Sequence, residues 1–123
     1  TFKSEPMEYK SFNPDYLMNV SGGDMEIMEE IVAIFRNQIP EFVNEMKSLL
    51  KSGSNTELGL LAHKAKGSVT VMGMEETARM LKEFELQAKA GINQNGYHDF
   101  ISRFEKDAAT VLAEIDHFMS SKH

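Results

Sequence analysis

The chain has 123 residues, enough for one core but not two, and 41% of them are hydrophobic, which excludes wholesale disorder. Nineteen Asp and Glu against thirteen Lys and Arg leave a net charge of −6, which repels a phosphate backbone and argues against DNA or RNA as a partner. With no cysteine, no apolar run near the ~18 residues of a membrane span and no apolar signal stretch, the expectation is a cytoplasmic protein held together without disulfides, thiolate metal sites or a membrane.

Residues 1–12, TFKSEPMEYKSF, show no sustained period and carry Pro6, so they read as an N-terminal tail draped over the rest. The chain begins at Thr1 without a methionine, as a trimmed chain or a piece of something longer would. Asn13 followed by Pro14 predicts an N-cap and a first helical position, and Gly22-Gly23 closes the short helix that follows. Asp24 then caps a longer helix from Met25 to about Leu50, in which apolar positions 28, 31, 35, 39, 42, 46 and 49 form one face. Pro40 lies inside this run; it removes a donor and crowds the preceding turn, which predicts a kink near residues 37 to 40 within one bent helix.

Ser54-Asn-Thr-Glu57 has the spacing of a capping box and opens a helix running to about Met72, where Gly73 supplies the stop. The next helix runs from about Glu75 to Ala90 and is ended by Gly91. The loop GINQNG leads into the last, from about Tyr97 to Met119, with Tyr97, Ile101, Phe104, Ala108, Val111, Ile115 and Phe118 as its stripe and residues 120–123 as a tail. No alternating strand pattern appears. Four amphipathic helices on short connections predict an all-α fold, an up-and-down antiparallel four-helix bundle over residues 13–119 with a short additional N-terminal helix as cover. Nine methionines and no tryptophan suggest an adaptable core, and charged outer faces without a second apolar seam suggest a monomer.

On a helical wheel of about 100° per residue, Leu58, Leu61, Ala62, Ala65, Val69 and Met72 gather on one side, which must be the core. His63, Lys66, Gly67 and Thr70, at i, i+3, i+4 and i+7, gather about 140° away and face outward. A mid-helix glycine costs roughly 0.5–1 kcal/mol relative to alanine. Because Gly67 points away from the bundle, close packing inside the fold does not explain it; an exposed glycine offers a flat patch where another molecule can approach His63. Imidazole in water is largely neutral near pH 7, so one ring nitrogen is a free nucleophile able to attack phosphorus. The product needs a nearby cation, which Lys66 supplies one turn along the same face, and Lys64 adds positive potential beside it. Neither a hydrolytic triad nor a phosphate-cradling glycine loop is present.

The run His63-Lys-Ala-Lys66-Gly67-Ser68, followed by Gly73 and, on the next helix, Glu85, resembles the histidine-containing phosphotransfer (HPt) domain of bacterial multistep phosphorelays. The upstream segment YLMNVSGGDMEIMEEIVAIFRNQIPEFVNEMKSLL is similar to the family's lead-in, so the resemblance covers about residues 13 to 119. It implies a carrier without autonomous catalysis: His63 accepts a phosphoryl group, usually on Nε2, from an aspartyl phosphate of one receiver domain and passes it to the aspartate of another. The partners implied are receiver domains of response regulators and hybrid sensor kinases. Lys66 would steady the phosphoryl group, and Gly67 would admit the receiver, with Thr70 on the same approach face. Glu85 stands where the family often has Gln or Glu orienting the imidazole, and Lys89 where some members place a second basic residue. Ala65 departs from the more usual leucine or isoleucine. Phosphoryl transfer rests on positioning and charge neutralisation, so the Mg²⁺ it needs would sit on the receiver's acidic cluster, with no cofactor or metal on this chain.

Other readings compete with these. Glu85 and Lys89 at i, i+4 also make a simple helix-surface ion pair, worth a few tenths of a kcal/mol. Ser68 and Thr70 fit helix-surface or core-edge positions better than phosphate ligands. Glu114-Ile-Asp-His117 has the Glu-x-x-His spacing of di-iron bundles, but such sites take two such motifs and two further glutamates. His98 and His123 have no convincing partner in the sequence. The same flat face would also serve a helical adaptor that binds a receiver-like partner without being phosphorylated.

Overall fold

The computed structural model describes residues 11–122, and every regular element among them is helical. The helices are α1 (Pro14–Ser21), α2 (Met25–Ser52), α3 (Asn55–Val71), α4 (Glu75–Ala90) and α5 (Tyr97–Lys122), with one 3₁₀ turn at Gln94–Gly96. The ends of α1 and α2 follow local chemistry. The Asn13 side chain accepts the Asp15 N–H at 3.0 Å, and the Asp24 carboxylate accepts from Glu26 and Ile27 at 2.9 and 3.2 Å, filling donors that the first turn leaves open. Pro40 lies inside α2, which runs as one helix across it.

One local expectation needs correction. Ser54 stands at the start of α3 but makes no side-chain cap; its hydroxyl lies 2.8 Å from that of Ser52 instead. Phe12, assigned from the sequence to the tail, is 2% exposed and meets Phe118 edge-on with ring centroids 5.7 Å apart. Beside it the Ser11 N–H donates to Glu114 at 3.3 Å. Residues 1–10 of that tail lie outside the described residues. At the other end α5 continues to Lys122, through positions read as a tail.

Gly73 is required by backbone and by neighbours alike. Its φ is 67°, in the left-handed region, and a Cβ there would stand 2.6 Å from Asn13 Cβ and 2.8 Å from Tyr16 Cδ1. The start of α1 is thereby pinned to the α3–α4 turn: Asn13 N–H donates to the Met72 carbonyl, and the Tyr16 hydroxyl donates to Glu75 at 2.7 Å.

The four long helices form a ring of neighbours, α2 against α3 and α5, and α4 against α3 and α5, while α1 lies on α2 and α3. Every position of the apolar stripe of α5 is buried, from Tyr97 to Phe118, and the six core positions read on α3 are at most 6% exposed. Phe84 of α4 stacks on Phe100 at 5.0 Å and meets Tyr97 at 5.6 Å. The Tyr97 hydroxyl is shared between the carbonyls of Gln87 and Ile92, and burial pushes its pKa up. The buried Thr77 hydroxyl donates to Asp107 and ties α4 to α5. Among the described residues, no helix is long and apolar enough to cross a membrane.

Candidate functional site

The rotation of α3 about its axis is fixed by Ala62, Ala65 and Val69, all at 0% exposure. That orientation turns the intervening residues outward, and the His63 side chain is 58% exposed. Lys64, Gly67 and Thr70 are exposed as well, with Lys66 half-buried. A Cβ at Gly67 would meet nothing within 4 Å, so no neighbour inside the protein requires this glycine. Lys64 and Lys66 take part in no ion pair among the described residues. Thr70 turns its hydroxyl back onto the Lys66 carbonyl at 2.7 Å, so that group is spent within the helix. Ser68, at the core edge, donates to Gln38 of α2 at 2.9 Å, a tie the sequence did not reveal.

Glu85 reaches His63 from α4. It is 3% exposed, and Oε1 lies 3.1 Å from His63 Nδ1 while Oε2 takes the Lys89 ammonium at 2.7 Å. A single carboxylate thus makes both contacts that the sequence offered as alternatives. Lys82 stands farther off, with Nζ 4.0 Å from Oε1. The Lys89 hydrogen bond holds the Glu85 carboxyl below its ordinary range; burial opposes this, while the contact with His63 and the charge of Lys82 add to it.

An ionised carboxylate can only accept, so the hydrogen between Glu85 and His63 belongs to Nδ1. In the neutral ring the lone pair is then on Nε2, the nitrogen that Glu85 does not occupy. The arrangement presents a nucleophilic nitrogen beside a bare stretch of helix and two lysines.

Gly59 completes this region and was not singled out in the sequence. It is buried on α3, one turn before His63, and a Cβ there would stand 2.7 Å from Lys89 Cγ, 3.1 Å from the Glu85 carbonyl oxygen and 3.2 Å from the Lys89 nitrogen. The two mid-helix glycines of α3 therefore have opposite surroundings, Gly59 against α4 and Gly67 in the open. The available signal was position: Gly59 borders Leu58 and Ala62 on the core side of the wheel.

The other candidates stay apart from this cluster. Glu114 receives the Ser11 N–H and His117 is exposed on α5. Among the described residues no group of three or more His, Cys, Asp or Glu is placed to hold a metal ion. His98 lies 3.9 Å from Asp99 at the start of α5, and His123 is outside the described residues.

Comparison with models of protein families matches the Hpt domain over residues 30–116. No curated protein and no solved structure matches the chain. The matched span contains the helices that bear His63 and Glu85 together with the greater part of α2 and of α5, and on that match the chain belongs to the Hpt domain family, the histidine-phosphotransfer modules of two-component phosphorelays.

Proposed function

We propose that the chain is a phosphorelay carrier in which His63 accepts a phosphoryl group on Nε2 from the aspartyl phosphate of one receiver domain and delivers it to the aspartate of another. The observation that carries this reading is the exposed imidazole whose Nδ1 is engaged by a buried, ionised carboxylate. In the forward step the Nε2 lone pair forms the P–N bond, and the electrons of the breaking P–O bond stay on the receiver's aspartate. The hydrogen bond from Nδ1–H to Glu85 holds the ring in the tautomer and orientation in which Nε2 attacks. Lys66, with Lys64 beside it, faces the phosphoryl oxygens, and Gly67 with Thr70 forms the flat approach for the receiver.

Positioning and charge neutralisation suffice for such a transfer, so the chain needs no autonomous catalysis. The Mg²⁺ belongs to the receiver's acidic cluster, and the carrier brings no cofactor of its own. We read the long helices as an up-and-down antiparallel bundle, since residues 53–54 and 72–74 leave α2, α3 and α4 only tight turns between neighbours. The carrier acts as a cytoplasmic monomer, with receiver domains of response regulators and hybrid sensor kinases as partners.

The test is incubation with a phosphorylated receiver domain, comparing the native chain with His63→Gln. Label on the native chain that survives alkali, is lost in acid and is absent from the variant supports the carrier. Equal labelling of both proteins rejects His63, and binding without labelling replaces the carrier with an adaptor.

A further inference from the structure

We propose that Lys89 is a positioning residue that acts on His63 through Glu85, rather than on the phosphoryl group, and that Gly59 is bare so that the Lys89 stem can reach there. The inference rests on His63 as the reacting group and adds two residues to its support. A lone buried carboxylate against an imidazole attracts a second proton to the ring, and the resulting imidazolium has no lone pair with which to attack phosphorus. Glu85 is such a carboxylate by burial, but its second oxygen is bonded to the Lys89 ammonium at 2.7 Å. The Glu85–Lys89 pair is neutral overall. It can therefore accept from Nδ1–H, and fix which nitrogen is free, without drawing a proton onto Nε2.

The charged and titratable groups that meet Glu85 are Lys89 and Lys82 from α4 and His63 from α3. Lys82, at 4.0 Å and without a hydrogen bond, is a poor substitute for Lys89. The other helix packed on α4 is α5, and it puts Asp107 on Thr77 and Arg103, not on Glu85. The path of Lys89 depends on α3. Its Cγ lies where a Cβ of residue 59 would come within 2.7 Å, and the backbone of α4 at Glu85 and Lys89 would crowd the same Cβ at 3.1 and 3.2 Å. Any side chain at 59 must displace the lysine stem or push α3 and α4 apart. A buried glycine in mid-helix, which costs helix stability, is thus explained by the lysine stem and the α4 backbone that lie against it.

The experiment follows the His63 imidazole by ¹⁵N NMR across pH in the unphosphorylated full chain, and separately measures transfer from a phosphorylated receiver as a function of pH. Lys89→Met keeps an aliphatic stem over Gly59 and removes the charge. The expected result is an unchanged helical spectrum, a His63 titration midpoint higher than in the wild type by on the order of one pH unit, and a transfer profile displaced in the same direction. Glu85→Gln combined with Lys89→Met replaces the ion pair with a neutral acceptor and should return the midpoint toward its original position. Gly59→Ala should move the midpoint as Lys89→Met does. If Gly59→Ala does not fold, Lys89→Met decides alone.

An unmoved midpoint in Lys89→Met overturns the proposal even if transfer slows, because the lysine would then act on the phosphoryl group or the receiver. A midpoint that stays high in the double variant overturns it too. The NMR arm needs no phosphorylation, so failure of His63 as acceptor would show in the labelling experiment and remain separable from failure of the Lys89 assignment.

Discussion

Gly67 combines a helical backbone, open space at its Cβ position and a place one turn from His63. Replacing it should therefore separate stability from function. With no steric penalty, Gly67→Ala recovers the ~0.5–1 kcal/mol that glycine costs a helix interior. At ~2.1 cal/mol/K per residue, 123 residues give an unfolding entropy of about 0.26 kcal/mol/K, so Tm should rise by about 2–4 °C. Gly67→Gln should recover part of that gain while placing a long side chain in the approach path. If the receiver is held back by about 1 Å, transfer slows on the order of 10²-fold. Thermal unfolding followed by circular dichroism and the receiver-transfer assay measure the two effects on the same samples. A drop in Tm would contradict the open, helical placement of Gly67. Unchanged transfer in Gly67→Gln would refute the assignment of this face as the point of approach.

Because Lys89 and His63 lower the Glu85 pKa below its reference of 4.5, the stabilisation tied to this carboxylate is complete above that pH and is lost as the pH falls through the lower folded-state value. Urea denaturation of wild type and Glu85→Gln from about pH 6 down to about pH 3 should show the wild type losing its relative advantage only below about pH 4.5; parallel curves would contradict the shift. Phe12→Ala should cost about 3–5 kcal/mol, as for a core aromatic, and a loss under about 1 kcal/mol in the same titration would mean that Phe12 is not part of the core. Gly73→Ala should destabilise by at least about 1–2 kcal/mol through the left-handed φ alone, with further loss from crowding Asn13 and Tyr16; a neutral result by thermal melting would contradict that packing.

The helix limits at Asn13-Pro14, Gly22, Asp24 and Gly91 were legible because each is set by sterics and hydrogen bonds within a few residues of chain. Ser54 misled because a capping box is only a pattern, and its hydroxyl had a competing partner in Ser52. Phe12 was illegible for a different reason: it has no periodic neighbours, and its burial is decided by Phe118 at the other end of the chain. Nothing after Met119 punctuates a helix, yet the expected end was placed there, and Ser121 continues the turn with its hydroxyl on the Phe118 carbonyl. The His63 face could be read from the period of one helix. The contact with Glu85 spans two helices, so only the family resemblance pointed to it. Gly59 escaped notice because its partner is the aliphatic part of a lysine, a residue type that patterning assigns to solvent.

Gly59, His63, Lys66, Gly67, Glu85 and Lys89 all lie on α3 and α4, two helices joined by three residues and packed more extensively than any other pair in the fold. Closing so short a loop costs little chain entropy, so this hairpin should behave as one cooperative opening unit in native-state hydrogen exchange. Its protection factors would rise and fall together, and each transient opening would dismantle the whole constellation at once. Substitutions on α2 or α5 would then change how often the constellation is assembled while leaving its internal shape alone.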